Sequence, residues 1–129
     1  MPSRSTFLTF AMIAYAAFGL AALVAPGPVM GVYGLALDGA GELVTRSLAV
    51  AFIGLALPLW WARSAPPSAL LSGLLLAHAL YNAINVPVVL FAVLGGTLAA
   101  TGWGLLLLHA VLAVAFFACW RGLAVASRP

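Results

Sequence analysis

The chain has 129 residues, 66% hydrophobic and 5% charged, whereas an ordinary soluble domain carries roughly a quarter charged residues. Its five basic residues are all arginines, which with one aspartate and one glutamate leave a formal charge of +3, too small and scattered for a nucleic-acid surface. The lone Cys119 excludes an intrachain disulfide and a cysteine metal site, and reads as a small hydrophobe. What remains is an all-α integral membrane protein.

A helical span needs roughly 20 apolar residues to cross the hydrocarbon layer. The first predicted span covers about 5–25 and stops at Pro26-Gly27-Pro28. It is too long for a signal-peptide core of about 7 to 15 residues and is read as a retained helix. Next comes a long, partly apolar connector, 26–41, in which Val29, Met30, Val32 and Tyr33 suit a loop or short helix at the interface. The second span is expected at about 42–61, the third at 68–94 and the fourth at 102–120. Short turns, "RSAPPS" and "GGTLAATG", join the last three. The whole of 1–129 therefore reads as one transmembrane domain, a four-helix bundle.

Small residues at helical spacing, Ala17, Ala21 and Ala25 on the first span and Gly73 and Ala77 on the third, suit close helix packing. Pro58 and Pro87 interrupt the second and third spans; carbonyls freed near Ala83 and Ile84 then need partners, which the asparagines or a water could supply. "GLLLAHAL" and "GLLLLHAV" echo each other, an effect of Leu/Ala-rich composition more than of duplication.

With four crossings, Arg4, Arg63, Arg121 and Arg128 fall on one side with the N-terminal amino group, and Asp38 and Glu42 on the other. The positive-inside rule then puts both termini in the cytoplasm, in a multi-pass protein of the cytoplasmic membrane. Trp60, Trp61 and Trp120 form an inner aromatic belt, with Trp103 and Tyr33 near the outer face. Arg46 departs from the pattern, about one turn inside the second span.

On a helical wheel Asn82 lies about 40° and Asn85 about 20° from His78, with Tyr81 about 60° away, so the four share one face. His109 on the fourth span, Tyr15 on the first, and Glu42 and Arg46 on the second are expected at matching depth, from the midplane to the outer leaflet. Polar groups there need partners, and such residues are candidates for a site. Arg46, Asn82, Asn85, His78, Tyr81 and Tyr15 form the candidate ligand-binding set, suited to the anionic or carbonyl head of an amphipathic molecule; Glu42 and His109 are the candidate proton-transfer groups. The bland alternatives are an Arg46 paired with Glu42 or Asp38, and asparagines and histidines that only lock helices together.

The stretch "TRSLAVAFIGLALPLWWAR" (45–63), preceded by "PGPVMGVYGL", resembles small bacterial four-helix membrane proteins of the DoxX-like kind. The resemblance implies a bundle in the cytoplasmic membrane with a buried arginine and supplies no catalytic residue. Function is thus expected to be binding of a lipid-like small molecule, with proton transfer to or from it as an open question. The alternatives are an accessory or scaffolding subunit, an oligomeric transporter, and a bundle in which His78 and His109 ligate haem. No cofactor or metal motif is present; the expected partners are membrane lipids, an amphipathic molecule and a second copy of the chain.

Overall fold

The computed structural model describes residues 3–126, so Arg128 and the N-terminal amino group, both used in the charge topology, lie outside the described residues. The elements are α1 (Arg4–Val24), α2 (Pro26–Gly31), α3 (Gly39–Ala62), α4 (Ala69–Leu94) and α5 (Gly102–Ala126). All but α2 are long and apolar enough to cross a membrane by length and composition. Their outward faces carry Val24, Leu70, Phe91 and Val114, each well exposed, where a soluble helix would place charge.

Three helix starts are fixed by side chains that accept otherwise unpaired backbone N–H groups. Ser3 Oγ accepts from Thr6 N–H at 3.2 Å, Asp38 Oδ1 from Gly41 N–H at 2.7 Å, and Ser68 Oγ from Leu71 N–H at 3.2 Å. The Asp38 cap starts α3 at Gly39, three residues before the predicted 42, because weak helix formers in a first turn need only a cap. At the other end α5 runs past the expected limit at Trp120, through Arg121 to Ala126, arginine being a good helix former.

Pro26 both ends α1 and opens α2, so part of the long connector is a six-residue helix. Helix α4 closes with a Schellman motif: Gly96 N–H donates to Val93 O and Thr97 N–H to Ala92 O, with Gly96 at φ +74°. Pro58 and Pro87 lie inside α3 and α4, and both helices continue past them.

The chain divides into two compact units, Met1–Ser64 and Ala65–Pro129. In the first, α1 and α3 pack antiparallel, and α2 touches both. The two helices approach closely at Gly19, where an added Cβ would stand 2.9 Å from Ala49 O and 2.8 Å from Ile53 Cγ1. Helix α1 buries Leu8, Ala11, Tyr15, Gly19 and Ala22, so Ala17 and Ala21, expected at a helix seam, face outward instead. Phe52 of α3 meets Tyr15 edge-on, ring centroids 5.6 Å apart, and Phe18 at 4.7 Å. Near the end of α3 the Arg63 guanidinium lies 3.4 Å over the Trp60 ring.

In the second unit α4 and α5 pack antiparallel. Leu71, Leu75, His78, Ala79, Asn82 and Val89 form the buried face of α4. Gly73 and Ala77, again expected at a seam, are exposed, and nothing lies within 4 Å of a Cβ built on Gly73. A helix apolar on every side does not reveal from sequence which small residues face a neighbour.

Candidate functional site

The second unit holds the tighter polar group. Asn82 lies near the middle of α4 and is fully buried. Its Nδ2 donates to the His78 carbonyl at 2.8 Å, and its Oδ1 faces His109 Nδ1 of α5 at 2.9 Å. A carbonyl oxygen only accepts, so the atom next to His78 O is the amide nitrogen and the opposite atom is the amide oxygen. His109 Nδ1 is therefore the donor to Asn82 Oδ1.

His78 Nδ1 stands 2.9 Å from Leu74 O, again an acceptor, so in this ring too Nδ1 carries the proton. In each ring Nδ1 thus carries a hydrogen, so in the neutral form of either imidazole the lone pair is on Nε2. The two rings reach that state differently, His78 through its own helix and His109 across to α4, so the sequence echo around them does not extend to matching partners. Both are buried, His78 against the Phe116 ring at 5.0 Å and His109 against Tyr81, centroids 6.2 Å apart at 71°.

Asn85 donates from Nδ2 to Tyr81 O at 2.8 Å and is half-buried, as is Tyr81. Each asparagine therefore serves a carbonyl one turn back on α4. These bonds go to the carbonyls of His78 and Tyr81, because a short amide readily reaches the i−4 carbonyl of its own helix. An apolar groove of about 290 Å³ lies between the same helices, lined by Leu76, Ala79, Leu80 and Ala83 of α4 and Ala113, Val114 and Phe117 of α5.

The first unit holds the charged pair. Arg46 Nη1 donates to Glu42 Oε2 at 3.0 Å, one turn away on α3, and its Nε donates to Leu23 O at 3.2 Å. Leu23 is the penultimate residue of α1, so its carbonyl has no donor within its own helix. Arg46 thus ties the end of α1 to α3 while Glu42 balances its charge. Both side chains are under half exposed, 43% and 44%. Asp38, the other expected partner, is committed to its cap.

Of the predicted site residues, the structure brings together His78, Tyr81, Asn82, Asn85 and His109 in one unit. Glu42, Arg46 and Tyr15 belong to the other, where Tyr15 packs edge-on against Phe52. Sequence reasoning missed Leu23, whose part is played by its backbone and leaves no side-chain signal. Among the described residues no group of three or more His, Cys, Asp or Glu is placed to hold a metal ion. No protein-family model, no curated protein and no solved structure matches the chain.

Proposed function

We propose that the chain is a multi-pass membrane protein, a four-helix bundle of the DoxX-like kind with both termini cytoplasmic, that binds a small amphipathic or lipid-like molecule at the polar group around Asn82. The observation that carries this reading is His109. It is a buried imidazole, oriented by Asn82 in the middle of an apolar helix pair, and its Nε2 bonds none of the described residues. A polar group in hydrocarbon is costly, and one that keeps an unused bonding position has a capacity that helix locking does not require. The apolar groove one turn along α5 offers hydrocarbon contact without a polar atom to oppose it. Proton transfer to or from the bound molecule would fall to His109, since Glu42 is held by Arg46.

Native mass spectrometry of gently solubilised protein tests this reading. A retained small molecule, lost in His109→Leu with the fold intact, supports it; a ligand-free protein after extraction from its native membrane contradicts it. The same spectrum reports whether the chain associates with itself.

One observation favours a second reading, an accessory or scaffolding subunit. The Asn82–His109 bond joins α4 to α5, and the Arg46–Leu23 bond joins α3 to α1, so both polar groups also fix helix pairs. On that reading Asn82 and His109 substitutions change stability and nothing else.

A further inference from the structure

The polarity of the leftover position on His109 restricts what it can hold. The residue is 5% exposed. No buried side-chain nitrogen or oxygen among the described residues lacks a partner. Nε2, which bonds none of those residues, is therefore not sealed: it reaches accessible space through the small exposed part of the ring. The chain of acceptors beginning at His78 O fixes the proton on Nδ1, so in the neutral ring Nε2 presents a lone pair. A carbonyl, ether or carboxylate oxygen would place a second lone pair against it and gain nothing.

Resting on the reading that this site holds an amphipathic molecule, we infer that the molecule carries a hydroxyl, alcoholic or phenolic, that donates to Nε2 of His109. The anionic or carbonyl head expected from the sequence does not suit this nitrogen. An ammonium donor is disfavoured on the opposite ground. The unit Ala65–Pro129 contains no aspartate or glutamate, so it supplies no counter-charge of its own, and a cation taken out of water without one suffers a large desolvation penalty. A hydroxyl brings one donor and no net charge.

The test uses three probes with one apolar body: para-octylphenol, its methyl ether para-octylanisole, and para-octylbenzaldehyde. Binding to the full chain in lipid nanodiscs is measured by calorimetry against empty nanodiscs. The phenol is expected to bind about fivefold or more tightly than the ether, the ratio that one net hydrogen bond supplies, and His109→Leu is expected to abolish the difference. If that variant does not fold, the wild-type protein labelled with ¹⁵N-histidine decides: the Nε2 signal of His109 moves with the phenol and not with the ether. Equal affinity for phenol and ether, an unmoved Nε2 signal, or tighter binding of the aldehyde overturns the hydroxyl assignment and leaves the ligand-binding reading standing. Failure of all three probes to bind above empty nanodiscs overturns that reading and this inference with it.

Discussion

His109 Nδ1–H donates across 2.9 Å to Asn82 Oδ1, and the same Asn82 amide donates to the carbonyl of His78. One asparagine thereby sets the tautomer of a histidine on the neighbouring helix, because its own orientation is dictated by a backbone oxygen. The interaction belongs to packing and to chemistry at once: it joins α4 to α5 and leaves Nε2 as the basic nitrogen.

Replacing Asn82 with leucine removes both bonds and leaves His109 Nδ1–H unpaired. Interhelical hydrogen bonds in membranes are worth about 0.6 kcal/mol on average and about 1.7 at most, so a double-mutant cycle on Asn82→Leu and His109→Leu should return a coupling of about that size. Thermal unfolding in detergent measures it. A coupling indistinguishable from zero would mean that the two side chains do not meet.

At Gly19 α1 and α3 approach closely, and a Cβ added there would lie only 2.9 Å from Ala49 O. Backbone cannot yield as a flexible side chain does, so Gly19→Val should destabilise the α1–α3 pair by about 1–3 kcal/mol. Gly73→Ala is the control: its site is open, and the better helix propensity of alanine makes it neutral or slightly stabilising. Unfolding midpoints of the two variants that moved together would contradict this packing.

For the charged pair, the order of effects is the prediction. Glu42→Gln leaves the Arg46–Leu23 bond in place and removes an ion pair between half-exposed groups, a loss of at most about 1 kcal/mol. Arg46→Ala also strips the donor from a helix-end carbonyl and should cost more, by about another 1 kcal/mol. Arg46→Lys should recover little, because a single ammonium does not reproduce two N–H groups fixed in a planar fork. Chemical denaturation of the three variants gives the ranking; equal losses from Glu42→Gln and Arg46→Ala would mean that the Leu23 bond contributes nothing.

Orientation is open to cysteine labelling in a chain whose Cys119 has first been replaced by alanine. With both termini cytoplasmic, a cysteine at Ser64 should react only from the cytoplasmic side and one at Gly39 only from the opposite side. The reverse pattern would invert the assignment made from Arg4, Arg63 and Arg121.

Much of this architecture is legible in the sequence, and the reasons for the failures are specific. Proline and glycine mark the ends of α1 and α4, and the i,i+4 spacing of Glu42 and Arg46 gives their pairing directly. The shared face of His78 and Asn82 also follows from helical periodicity, and both are buried. The phase of α1 does not: Ala17, Gly19, Ala21 and Ala22 are all small, and an all-apolar helix carries no polar side to show which of them meets α3. The His109–Asn82 bond is equally hidden, since it depends on the register between two helices and not on spacing within one. Leu23 enters through its carbonyl, which every residue possesses.

The most direct test of the central claim is the protonation pattern of the histidines, read by ¹⁵N NMR of histidine-labelled protein in lipid bilayers at neutral pH. His109 is predicted to carry its proton on Nδ1 and to leave Nε2 bare, a pattern lost from the Nδ1 signal in Asn82→Leu. A His109 protonated on Nε2 would contradict the claim, because Asn82 could not then accept from Nδ1 and the proposed site would offer a donor where an acceptor is required.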